Sequence, residues 1–198
     1  MTELYFNAFA REVHQNAEAH GWWDEKRDAS ELFALMHSEL SEALEEARAG
    51  RALVWEGENG KPEGIAVELI DAVIRYLDFV GTFVKSDSAL ENDVSFEYAM
   101  KRCPYDLYKE HPCSFFINSM HIHLVDCFVK EVSPYFDTDP EDKEKRYAHL
   151  SEIAFRGLFF AGLILNWCME NGVEDPVALM LKKHEYNKSR PYKHGKRF

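Results

Sequence analysis

Asp28-Ala-Ser-Glu-Leu-Phe-Ala-Leu-Met-His-Ser-Glu-Leu-Ser-Glu-Ala-Leu44 places Leu32, Leu35, Met36, Leu40, Ala43 and Leu44 at three- and four-residue spacing, the period of an amphipathic helix. Asp28, with Glu31 three residues on, predicts a capping box at its start, and Gly50 marks its end. Working outward, the same period recurs. Phe6, Phe9, Val13 and Ala17 predict a helix that breaks at Gly21. Ile65, Leu69, Val73, Tyr76, Leu77 and Val80 predict another over about 63–85. The segment between, residues 50–64, carries four glycines and Pro62, so it reads as the loop of an αα-hairpin with Pro62 near the next helix start. Phe115–Val132 and Tyr147–Met169 are apolar on more than one face, and the second is expected to be a central helix or an oligomer contact. The pattern weakens over 86–112, where Pro104 and Pro112 bracket short turns at best. Asp137–Asp142 is the expected turn between the two apolar helices. A last helix begins near Asp175-Pro176 and stops before Pro191, because the residue before a proline is pushed out of helical geometry. No window sustains strand alternation, so the expected class is all-α, a helical bundle in one domain over residues 1–198.

Composition narrows the partners. With 46% hydrophobic and 29% charged residues, the 198-residue chain is too apolar for a disordered tail, and ten Gly and seven Pro are too few for a collagen-like chain. Acidic residues outnumber basic ones 35 to 23, and a net charge of -12 repels nucleic acid and anionic membranes, so neither is an expected partner. The longest uncharged apolar run, Gly157–Met169, falls short of the roughly 20 residues that span a bilayer, and no secretory signal is read at the N-terminus. A soluble, cytoplasmic protein is expected. The four cysteines form no C-x-x-C pair and read as small buried hydrophobes.

Two helices carry carboxylates at the rim of their apolar stripes. Glu39 and Glu42 lie three residues apart, about 60° from each other on one face. Glu68 and Asp71 repeat the arrangement on the following helix. Antiparallel packing of the two helices can bring both pairs to one point. Four like charges in a partly dry groove repel, and keep their protons, unless cations compensate them. An oxygen-only donor set without cysteine or histidine favours Mg²⁺, or Mn²⁺, which polarises a phosphoryl group and acidifies water. The Glu-x-x-His spacing of a di-iron bundle is absent from both helices. Glu45, Glu46 and Asp78 extend the acidic strip as extra ligands, a general base or solvated charges, and spacing does not choose among these.

The chain's end is basic: from Lys182 onward seven Lys or Arg stand against Glu185 alone. Lys183, Asn187 and Arg190 align on one helix face, and an ammonium, an amide and a guanidinium fork suit phosphate oxygens. Beyond Pro191, the short basic stretch that includes Lys193 can fold over a bound anion. Trp22 and Trp23 either offer a face for stacking on a nucleobase or plug the end of the bundle, and Trp55 lies in the loop between the acidic helices. His20, His37, His121 and His123 form no pattern.

Taken in order, His20-Gly-Trp-Trp-Asp24, His37-Ser-Glu-Leu-Ser-Glu-Ala-Leu-Glu-Glu46, Glu68-Leu-Ile-Asp71 and Lys183-His-Glu-Tyr-Asn-Lys-Ser-Arg-Pro191, followed by Lys193-His-Gly-Lys196, resemble the MazG-like branch of the all-α nucleoside triphosphate pyrophosphohydrolases. The family pattern is Glu-x-x-Glu, a spacer, then Glu-x-x-Asp, and the 25-residue spacer from Ala43 to Val67 suits it. The resemblance implies a bundle of that enzyme type and a Mg²⁺-dependent hydrolase that releases a nucleoside monophosphate and pyrophosphate. Glu39, Glu42, Glu68 and Asp71 would hold the metal and do the catalytic work. Lys183, Asn187, Arg190 and Lys193 would meet the phosphates, with Trp22 and Trp23 beside the base. The alternative is a non-catalytic nucleotide-binding or regulatory protein on the same scaffold. The chain departs from the compact family pattern by about 90 residues, 85–174, expected as an inserted helical hairpin. That insertion either duplicates packing within the chain or enlarges a homodimer interface.

Overall fold

The computed structural model describes residues 2–84 and 93–195. It is an all-α bundle built from α1 (Phe6–Ala19), α2 (Ala29–Arg48), α3 (Ile65–Val84), α4 (Phe96–Arg102), α5 (Cys113–Cys127), α6 (Ser133–Asp137), α7 (Lys143–Glu170) and α8 (Pro176–Lys188). The centre is α3. Most of its residues from Ile65 to Val84 are buried, and it touches α1, α2, α7 and α8. Its crossing with α1 is close because residue 81 is glycine: a Cβ there would stand 2.5 Å from the Ala10 carbonyl oxygen.

Several boundaries differ from the expected ones for physical reasons. Asp28 caps α2 by accepting from the Ser30 N–H at 2.8 Å, but Glu31 pairs with Arg27, so the capping box is half made. The loop after α2 contains a two-residue antiparallel ladder, β1 (Trp55–Glu56) against β2 (Pro62–Glu63). Pro62 therefore sits in that ladder, and α3 starts at Ile65. The expected end of α3 at Lys85 lies outside the described residues, as do 86–92 of the weak region. In that region α4 forms, although the pattern there is faint. The N-terminus of α1 has no local side-chain cap; Asp93 serves instead, accepting from Asn7 N–H at 2.7 Å and Ala8 N–H at 2.9 Å. Past α5 the chain runs through a π-helical turn, Phe128–Val132, into α6, whose second residue is Pro134.

The described part of the 85–174 stretch, residues 93–174, joins the core of the bundle. Residues 160–168 of α7 are all buried, covered by neighbours that include α3, α4 and α5, so this is a central helix within the chain. The Tyr76 hydroxyl ties three helices together, donating to the Ile153 carbonyl at 2.9 Å with Cys127 Sγ 3.1 Å away. The helix is longer than the apolar run inside it, and by length and composition alone it could cross a membrane; half of its most apolar window is buried in the fold. Cys127 and Cys168 are buried, Cys103 and Cys113 half-buried.

Candidate functional site

A cleft of about 180 Å³ opens between α1, α2, α3 and α8, room for on the order of ten waters. On its floor three carboxylates meet. Glu39 faces inward because it edges the α2 stripe between the fully buried Met36 and Leu40, and Glu42 follows one turn later. Glu68 comes from the first turn of α3. One oxygen from each of the three lies within 4.8 Å of the others. Glu39 and Glu68 are each 6% exposed, while Glu42 opens to water. Two carboxylates at that separation repel by roughly 3 kcal/mol at an effective dielectric near 20, less where water screens Glu42.

The compensation is uneven. Arg75 Nε donates to Glu39 Oε1 at 2.5 Å. Burial alone would lower the guanidinium's pKa, but Glu39, and then Asp71 and Glu42, hold it above its ordinary value. Neither Glu42 nor Glu68 has a hydrogen bond or ion pair among the described residues. Burial, then Asp71, Glu39 and Glu42, push Glu68 up to about 8, against the pull of Lys183.

Asp71 stands beside this trio rather than in it. Its Oδ2 lies 2.8 Å from Lys183 Nζ, which also donates to the Pro62 carbonyl at 3.4 Å. Lys183 is only 2% exposed. Burial raises the Asp71 pKa and Lys183 draws it back. Lys183, expected at the phosphates, is thus the counter-ion of Asp71 in this structure.

The rest of the basic end divides. Asn187 and Arg190 line the cleft, and the Arg190 guanidinium has no ion-pair partner among the described residues. Lys193 does not line it: its N–H donates to the His20 carbonyl at 3.0 Å, and its ammonium lies 5.9 Å from the Tyr192 ring centre. Lys196 lies outside the described residues. The tryptophans divide as well. Trp22 lines the cleft under Arg27, whose guanidinium carbon lies 5.8 Å from its ring centre. Trp23 turns to the α1–α3 seam, where its indole N–H donates to Asp78 at 2.9 Å and its ring meets His14 edge-on. Trp55 belongs to the loop, donating to Glu46, which also pairs with Arg51, and Glu45 pairs with Arg48 at the surface. Asp78 lines the cleft but is engaged by His14 at 2.8 Å; burial raises its pKa, and His14 and Trp23 oppose that.

Comparison with known proteins gives nothing further. No family model matches the chain, and no match is found among curated proteins or solved structures.

Sequence reasoning missed Arg75, Lys61, Arg27 and the cleft position of His20. Arg75 left a signal: it is four residues past Asp71 and seven past Glu68, on the same face of α3. The others sit in turns, where no periodicity reports direction. Chemically, the site combines an oxygen-only donor set with cations on its walls. Glu39, Glu42 and Glu68 could hold a hard divalent ion, with Asp71 close by.

Proposed function

We propose that this protein is a nucleoside triphosphate pyrophosphohydrolase that uses Mg²⁺, or Mn²⁺, and yields a nucleoside monophosphate and pyrophosphate. The observation that carries the reading is Glu68: a buried carboxyl with no hydrogen-bond donor among the described residues, grouped with Glu39 and Glu42 within 4.8 Å. Such a group is costly as an anion unless a cation joins it, and an oxygen-only donor set fits a hard divalent ion. The ordered motifs that resemble those of MazG-like enzymes support the same reading.

The ion, when bound, would polarise a phosphoryl oxygen and acidify a water. The protein's own residues supply the rest. Arg75 keeps Glu39 ionised and oriented, so one donor is ready before any ligand arrives. Glu68 gives up its proton as the site fills. Arg190 and Asn187, on the α8 side, take up polyphosphate charge, and Trp22 offers a ring for the base. The mixed lining suits a ligand that brings metal and phosphate together.

The test is incubation with a panel of canonical and modified nucleoside triphosphates and Mg²⁺, with chromatography of the products. Monophosphate and pyrophosphate in equal amounts are expected. Release of inorganic phosphate would mean a different bond is cut. Nucleotide binding without any product would favour the non-catalytic reading.

A further inference from the structure

At the lip of the cleft, His20 joins the two ends of the chain. Its Nδ1 lies 2.8 Å from the Asn16 carbonyl oxygen and its Nε2 3.0 Å from the Arg190 carbonyl oxygen. Carbonyl oxygens only accept, and a neutral imidazole has a single N–H to donate. Both contacts hold at once only when each ring nitrogen carries a proton, that is, in the imidazolium. The Asn16 carbonyl belongs to the C-terminal turn of α1, where the helix dipole also favours a cation.

The same turn is tied to the segment after α8 at further points. The His20 carbonyl accepts from Lys193 N–H at 3.0 Å, and the Tyr192 hydroxyl donates to Asp24. The Tyr192 ring lies against Gly21, whose φ of +77° and lack of a Cβ leave it that space. Of these ties, the two made by the imidazole depend on its proton count.

We propose that His20 is a positioning residue that acts as the imidazolium: it latches the chain beyond α8 onto the α1–α2 turn, and its deprotonation releases the latch. The backbone it grips is that of Arg190, a residue that lines the cleft and has no ion-pair partner among the described residues, so the latch sets where that residue stands. The cleft lining that His20 shares carries Glu39 and Glu42 from α2, Glu68, Asp71, Arg75 and Asp78 from α3, Lys61 ahead of it, Arg27 from the turn, and Lys183, His184 and Arg190 from α8 and its end. Asp24 faces the latch through Tyr192. This inference stands whether or not the cleft hydrolyses a nucleotide.

The experiment is NMR on the full ¹⁵N-labelled chain from pH 5.5 to 8.5 without nucleotide. It follows both imidazole nitrogens of His20 and the exchange of the Lys193 amide, corrected for the intrinsic pH dependence. Both nitrogens are expected to be protonated when the Lys193 amide is protected. Protection is expected to fall roughly ten- to a hundredfold through the His20 titration, the scale of losing one hydrogen bond to a charged group. His20→Ala should lower protection at every pH and abolish its pH dependence, with helical content by circular dichroism as the folding control. A neutral, single-tautomer His20 while the Lys193 amide is protected, protection that ignores the His20 titration, or an unchanged profile in His20→Ala would each overturn the proposal.

Discussion

Lys183 Nζ lies 2.8 Å from Asp71 Oδ2, and the lysine is all but sealed from solvent. Helices α3 and α8 are thus held together by a pair whose members stand more than a hundred residues apart in sequence, and of which neither is tolerable alone. Removing one charge should cost about 3–5 kcal/mol, because the other is left buried without a partner. Asp71→Asn and Lys183→Met are each expected to lower the denaturation midpoint sharply, and the double variant to recover most of the loss. Urea unfolding of the four proteins measures it; additive losses would mean that the pair is not coupled.

Glu68 would make the proposed ion binding proton-linked. Its carboxyl titrates near 8 in the ion-free cleft, so at pH 7 it is mostly protonated and must lose that proton when a divalent cation enters. Calorimetry of Mn²⁺ or Mg²⁺ binding in buffers of different ionisation enthalpy should report close to one proton released at pH 7. Affinity should rise with pH up to about 8 and then level. Glu68→Gln should weaken binding at least tenfold and flatten that slope.

The same carboxyl predicts a stability profile. Its folded pKa is raised, so its contribution is fully present below the ordinary glutamate range and is lost as pH rises from there toward about 8. Without divalent ions the thermal midpoint should therefore fall across that window, with Asp71, also raised, acting in the same direction. Adding Mg²⁺ should remove most of the decline, and Glu68→Gln should lack it. A midpoint that rises from pH 5 to 8 without the ion would contradict this.

Turnover separates the acidic residues of α2. Glu39→Gln is expected to lower it on the order of a hundredfold or more, the scale of losing a group that organises charge at the reacting centre. Glu45→Gln should leave it unchanged, since that side chain is exposed and paired with Arg48 on the outer face. Initial rates of pyrophosphate release compare the two.

Gly81→Ala tests the fold apart from the cleft chemistry. The added methyl would press on the Ala10 carbonyl and the His14 side chain, so α1 must back away from α3. A loss of about 1–3 kcal/mol is expected in denaturant unfolding.

The stripe from Leu32 to Leu44 and that of α3 were readable because burial on one helix face repeats every three to four residues. Glu39, Glu42 and Glu68 were readable for the same reason: they interrupt those stripes at their edges. Asp93 at the start of α1 was not, since a cap supplied from eighty-six residues away leaves no local pattern. The two-residue ladder around Pro62 is too short for alternation, and α4 too short for a stripe. Lys183, expected at the phosphates, lines the cleft, but its pairing with Asp71 was not readable, because a helical wheel fixes direction and says nothing about which opposite charge is nearest.

The wall of the cleft that carries Lys183, Asn187 and Arg190 leaves the ribosome well after its floor. Until α8 docks, Asp71 lacks Lys183, and the acidic floor formed by α2 and α3 stays open on that side. A nascent chain therefore cannot assemble the site ahead of time: synthesis itself keeps the acidic floor and the basic wall apart until α8 has emerged.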